Sequence, residues 1–212
     1  AVCRQLESVF GANEGKPLRP REAGARGPRY THARHEGAQV HIGLMTPTAR
    51  FADEDYYNAR TAVSVLSGSM SSRLFTEVRE KRGLCYAIGA KYHSLKDAAG
   101  IQCYAGTTPD KAQETVDVIL GEFGRLAEGI SEEEIARARI GLKSSVILHS
   151  ESSSSRAGAI SSDYCMLGRV RTLDEIKERI DAVTVDSVLA YLRSNPFQEF
   201  TVVTIGPKEV RV

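Results

Sequence analysis

Arg79 and Tyr86 are the two side chains whose types and spacing could act together chemically. Both lie in the run G-S-M-S-S-R-L-F-T-E-V-R-E-K-R-G-L-C-Y-A-I-G-A-K-Y from Gly68 to Tyr92, on either side of Gly83. A chain reversal at that glycine could bring a guanidinium and a phenol, both hydrogen-bond donors, to one place. By residue type alone they also fit a solvated helix arginine and a half-buried strand tyrosine, because most such residues have no catalytic task.

The other chemistry-bearing residues form no recognisable constellation. The histidines are His32, His35, His41, His93 and His149. H-A-R-H-E at 32–36 is neither H-E-x-x-H nor H-x-x-E-H, and strand alternation would send His32 and His35 to opposite faces, whereas zinc needs convergent ligands. No G-x-x-x-x-G-K-[ST] loop or G-x-S-x-G elbow occurs, and Gly68 to Ser72 suits a hinge or helix start better than an anion site. Cys3, Cys85, Cys103 and Cys165 show no C-x-x-C spacing and read as reduced core thiols of an intracellular protein. Cys85 and Cys103 fall on adjacent predicted strands, so a bridge between them is the one alternative.

The 212 residues suit one domain with an appendage, and 42% hydrophobic with 26% charged residues is ordinary for a globular chain. A net charge of +1 argues against a nucleic-acid surface or a polybasic membrane patch. No apolar run approaches the roughly 20 residues of a membrane span. The opening A-V-C-R-Q-L-E-S-V-F is interrupted by charge, unlike a signal peptide, and the chain starts in mid-pattern without methionine, as a fragment or processed form would.

The positioning elements follow from periodicity. Val2, Leu6 and Val9 or Phe10 predict a short amphipathic helix ending at Gly11, and residues 12–29, rich in Gly, Pro and Arg, a linker. Val40, Ile42 and Leu44 predict a strand ending at Thr46-Pro47, and Asp53 caps a helix along Tyr56, Ala59, Val63 and Leu66. Ser71 or Ser72 then caps the charged helix, with Met70, Leu74 and Val78 on its apolar face, Phe75 one step round and Arg79 at the stripe's edge. Past Gly83, Leu84, Tyr86, Ile88, Ala90 and Tyr92 share one strand face, and a hairpin leads to Gly100–Thr107.

Thr108-Pro109 opens a helix along Ala112, Val116, Ile119, Leu120, Phe123 and Leu126, ended by Gly129. Ser131 with Glu134, and Thr172 with Glu175, read as capping boxes. E-S-S-S-S-R reads as a helix turn or kink, V-T-V-D-S-V-L-A-Y-L as a short helix, and F-T-V-V-T-I as the closing strand. This order predicts an α+β fold, a mostly antiparallel sheet with helices packed on one face.

R-L-F-x-E-x-R-E-K-R-G-L-x-Y resembles the C-terminal half of the pitrilysin, insulin-degrading enzyme and mitochondrial processing peptidase superfamily, zinc peptidases with an inverted H-x-x-E-H motif. L-S-G-S-M-S-S-R-L-F, the helix around E-S-S-S-S-R-A, the segment Tyr164 to Arg169 and the strand before Gly206-Pro207 extend the likeness from Tyr30 to Gly206. The resemblance implies that residues 1–11 end a preceding half, 12–29 link the halves, and 30–212 form the non-zinc domain. It also implies that the two halves face each other like a clam shell.

On the same footing, Arg79 and Tyr86 match the pair that reaches over the cleft to hold the substrate backbone and the oxygen of the tetrahedral intermediate. Zinc, absent from this chain's motifs, would belong to the complete enzyme, so the isolated chain should hydrolyse nothing. The implied partners are an H-x-x-E-H-bearing N-terminal half or partner subunit, within one chain or as a homo- or heterodimer. A peptide or unfolded polypeptide is the substrate, with neither nucleic acid nor membrane involved. The expected location is cytoplasmic, or periplasmic if a signal segment has been removed. The alternative is a non-catalytic structural or regulatory subunit, as in the respiratory-complex core proteins of the same superfamily.

Overall fold

Helices α2 and α3 lie against one face of a five-stranded sheet in a computed structural model that describes residues 1–12 and 27–212. The elements in chain order are α1 (Val2–Phe10), β1 (Tyr30–Arg34), β2 (Val40–Pro47), α2 (Tyr56–Ser67), a short π-helix (Phe75–Glu80), β3 (Cys85–Ser94), β4 (Ala99–Thr107), α3 (Ala112–Glu128), α4 (Glu132–Glu151), α5 (Ser153–Leu167), α6 (Leu173–Asp181), α7 (Val185–Ser194) and β5 (Thr201–Gly206). Most of the predicted linker lies outside the described residues.

The sheet order is β1-β5-β2-β4-β3. Every pairing is antiparallel except β1 with β5, whose short strand Tyr30–Arg34 periodicity alone did not mark. The α+β expectation holds because β2 alternates as predicted: Val40, Ile42 and Leu44 are buried, whereas His41 and Met45 are exposed. From β4 and β5, Ile101, Cys103, Ala105 and Val202 join that inner face, and Tyr104, Val203 and Ile205 stay exposed on the other. Ala59, Val63 and Leu66 of α2, Val116, Ile119 and Phe123 of α3, and Val188 and Leu192 of α7 complete the core. Phe123 meets Phe200 and Phe197 edge-on at 5.2 and 6.0 Å.

Several local expectations are corrected. Asp53 does not cap α2: its carboxylate is taken by Arg50 at 2.8 Å, and Asp55 stands at the N-cap with no side-chain cap bond. Thr108-Pro109 forms a turn, with the Lys111 N–H on the Thr108 carbonyl, so α3 starts only at Ala112. Thr172 caps α6 through the Glu175 N–H, but the Glu175 carboxylate goes to Arg169, so the reciprocal bond of that box is not formed. The Ser131–Glu134 box is complete, and α7 carries a further one between Thr184 and Ser187. E-S-S-S-S-R is the predicted break: Ser152 turns extended between α4 and α5, and its hydroxyl accepts the Ser155 N–H.

All four cysteines are free; Cys85 and Cys103 are buried, but Cys3 and Cys165 are exposed rather than in the core. In the β3–β4 register Cys103 faces Ala90 and Cys85 faces Thr107, so the two thiols are not opposite each other. Burial pushes the Cys103 thiol up to about 12. α1 forms as expected but buries none of its residues, leaving Val2, Leu6, Val9 and Phe10 exposed. Among the described residues, no helix is long and apolar enough to cross a membrane.

Candidate functional site

The corner between the π-helix and β3 is built from three departures from regular geometry. The helix forms where predicted, but its turns are widened: the Lys81 N–H reaches the Thr76 carbonyl five residues back, at 2.9 Å. Such π segments recur at functional sites. Neither Ser71 nor Ser72 caps it through a side chain; the Ser72 hydroxyl instead donates to the Ser69 carbonyl. Leu74 and Val78 are fully buried, but Met70 sits before the helix and is 74% exposed, so it does not share their stripe.

Gly83 then reverses the chain at φ +57°, where a side chain would be strained. Its N–H bonds the Arg79 carbonyl, and the Leu84 N–H reaches back to the Val78 carbonyl. Two side chains pin the turn from β4 and the start of α3: the Thr107 hydroxyl donates to the Leu84 carbonyl at 2.6 Å, and Lys111 Nζ to the Gly83 carbonyl at 3.0 Å.

The third departure is a β-bulge. Cys85 pairs with Thr107 but Ala87 with Gly106, so Tyr86 is the extra residue. This overturns the expectation that Leu84, Tyr86, Ile88, Ala90 and Tyr92 share a face. Leu84 and Ala90 are buried and Ile88 and Tyr92 partly so, but the bulge turns Tyr86 out to 82% exposure.

The result brings the two predicted site residues together. The Arg79 guanidinium carbon lies 4.6 Å from the centroid of the Tyr86 ring and 4.7 Å from that of Phe75. Aromatic faces hold a cation by their quadrupole while leaving its N–H groups unspent. No hydrogen bond or ion pair to the Arg79 side chain is formed among the described residues. On the same helix Glu77 is already engaged: Lys81 and Arg82 each reach it at 2.6 Å, and their hydrogen bonds hold its carboxyl below the usual range. Burial raises the Cys85 thiol pKa, and the neighbouring charge of Arg79 opposes that shift.

Phe75 and Lys111 are positioning groups that residue type did not single out. Phe75 was legible only as the residue four before Arg79, and Lys111 reaches the corner through a tertiary contact that no local spacing encodes. The histidines do not join the site. His32 Nδ1 lies 2.9 Å from the Thr204 hydroxyl, His41 bonds Tyr104, and His149 bonds the Ser145 carbonyl. Among the described residues no group of three His, Cys, Asp or Glu side chains is placed to hold a metal.

Comparison with known proteins bears on the family and the fold. The profile of the family described as "Peptidase M16 inactive domain" matches residues 1–142. An "Uncharacterized zinc protease YmxG" of Bacillus subtilis is 28% identical over 98% of this chain and 51% of its own length. "Uncharacterized zinc protease SCO5738" of Streptomyces coelicolor is 31% identical over 97% of this chain and 47% of its own length. The chain therefore spans about half the length of these curated relatives. A protease structure from Helicobacter pylori superposes with a TM-score of 0.82 at 20% identity, over 97% of this chain and 52% of that one, which establishes the fold.

Proposed function

The chain belongs to the peptidase M16 inactive-domain family, and from that premise we propose that it is the non-zinc half of a zinc metallopeptidase, supplying Arg79 and Tyr86 to an active site completed by an N-terminal half or partner subunit. The observation that carries this reading is the unspent guanidinium: Arg79 is held by two rings, 4.6 and 4.7 Å away, with no hydrogen bond among the described residues to satisfy its N–H groups. The zinc proteases it resembles are about twice its length, which leaves room for the other half. On this reading α1 is the last helix of that half, and its exposed apolar face packs there.

On this reading zinc, which activates water as a Lewis acid, would be held by the other half; among the described residues no group of three His, Cys, Asp or Glu is placed to hold it. What this chain contributes is charge stabilisation. As a peptide carbonyl becomes tetrahedral, negative charge grows on its oxygen, and pre-aimed donors stabilise that charge more than they stabilise the ground state. Arg79 offers a permanent cation with several N–H donors, and Tyr86 a phenolic O–H on an exposed bulge. The substrate would be a peptide or unfolded polypeptide, extended along a sheet edge of the other half through main-chain hydrogen bonds.

The test is Arg79→Ala in the full-length enzyme. Turnover should fall about 100- to 1,000-fold with melting temperature and zinc content unchanged. An unchanged rate removes Arg79 from the mechanism and favours a non-catalytic subunit of the same fold.

A further inference from the structure

A cavity of about 630 Å³ lies away from the Arg79 corner, between α2, the second half of α4, α5 and α6. That volume falls within the roughly 300–1,000 Å³ of small-molecule sites. Its walls are largely hydrocarbon: Leu142 and Val146 from α4, Ile160 from α5, and Leu173 and Ile176 from α6. α5 forms the outer wall, and Asp163 is its only buried residue.

Most polar side chains of the walls already have partners within the protein. Asp163 and Arg171 form an ion pair at 2.7 Å with side chains only 8% and 10% exposed. Arg171 also donates to the Tyr57 hydroxyl and lies 4.3 Å from the Phe51 centroid. Arg60 donates to Tyr56, His149 bonds the Ser145 carbonyl, and Ser150 bonds the Ile147 carbonyl. A peptide drawn into this space would leave amides without partners. A hydrocarbon chain would strand nothing.

The charge balance of the lining is uneven. Arg60, Arg156 and Arg171 face a single carboxylate, Asp163. Asp163 is spent on Arg171, whereas Arg156, at the exposed start of α5, has no ion pair among the described residues. Apolar walls, and at the rim Arg156, the lining arginine whose side chain has neither an ion pair nor a hydrogen bond among the described residues, define an amphiphile with an anionic head.

We propose that this cavity binds a carboxylate with an unbranched hydrocarbon chain, the chain against Leu142, Val146 and Ile160 and the head on Arg156. Dodecanoate is a suitable probe, titrated calorimetrically into the full-length protein beside dodecanol and a short peptide ending in a leucine carboxylate. Dodecanoate should saturate one site per chain and bind better than either comparator. Arg156→Ala should weaken it roughly tenfold, the size of one partly exposed charged contact, and abolish its advantage over dodecanol. Ala159→Trp, which fills the cavity from α5, should eliminate binding while circular dichroism stays unchanged. Tighter binding of the peptide, binding indifferent to Ala159→Trp, or no saturable binding would each overturn the assignment. Peptidase turnover is read in the same samples, so loss of lipid binding and failure of the Arg79 mechanism remain separable.

Discussion

Arg73 and Arg79 stand six residues apart at the two ends of one short helical segment, and the molecule uses them in opposite ways. Arg73 is locked: its guanidinium bonds both carboxylate oxygens of Glu134 at 2.6 and 3.0 Å, the Gly129 carbonyl at 2.7 Å and the Arg125 carbonyl at 3.1 Å. It thereby satisfies carbonyls at the end of α3 and ties them to the capping box that starts α4. Arg79 makes no comparable bond among the described residues and rests on two rings. An arginine whose donors are spent builds the fold, and one whose donors are held ready but unspent is available for a ligand.

The comparison breaks most directly at Arg79. Removing its side chain should cost about 3–4 kcal/mol of transition-state stabilisation, mostly in kcat, with little change in stability. Arg79→Lys should recover only part of that rate, because an ammonium cannot reproduce the planar fork against two rings. Equal loss of stability and turnover in Arg79→Ala would erase the distinction between the two arginines.

Arg73→Ala should do the reverse. It takes the charged partner from a largely buried carboxylate, leaving it only its Ser131 contacts, and strands two carbonyls, so unfolding free energy should fall by about 2–3 kcal/mol in a denaturant titration. The fraction that stays folded should keep its turnover per molecule. A variant with normal stability and lost activity would place Arg73, rather than Arg79, in the site.

Acid sharpens the same contrast. The hydrogen bonds from Arg73, with the capping contacts of Ser131, hold the Glu134 carboxyl down at about 2 against an ordinary 4.5. A depressed carboxyl stabilises the fold fully above its unfolded pKa, and that contribution is lost as pH falls toward the folded value. Wild type should therefore lose about 1–2 kcal/mol between roughly pH 4.5 and 2 from this group, after allowance for solvent screening. In Glu134→Gln that part of the acid transition should disappear.

The layers of the fold were legible because periodicity reports them. Val40, Ile42 and Leu44 alternate, and Ala112, Val116, Ile119, Phe123 and Leu126 repeat at helical spacing, and all are buried. The pairing of Arg79 with Tyr86 was legible as a reversal at Gly83. What was not legible is how the corner achieves it. The bulge at Tyr86 belongs to the register of β3 against β4, a tertiary fact with no local signature, and the π-turn leaves no mark in the residue spacing. Caps failed where a carboxylate found a better partner, as Asp53 did with Arg50 and Glu175 with Arg169. α1 left its apolar face bare, which periodicity could predict as a face but not as an uncovered one.

The smallest expected effect tests what holds the corner itself. Arg73's end of the segment is fixed by bonds to its own side chain, whereas Arg79's end turns on Gly83 at φ +57°, a reversal that Thr107 and Lys111 brace only through its carbonyls. A Cβ added there would meet nothing within 4 Å, so Gly83→Ala asks a purely conformational question. It should cost about 1 kcal/mol, lowering the melting temperature by roughly 2–4 °C, and Gly83→Asn, which tolerates the left-handed region, should cost less. Turnover should fall further than stability does, because a relaxed reversal would swing Tyr86 away from Arg79 while leaving the core intact. If Gly83→Ala leaves both melting temperature and turnover unchanged, the reversal is not held by glycine and the two side chains converge for another reason.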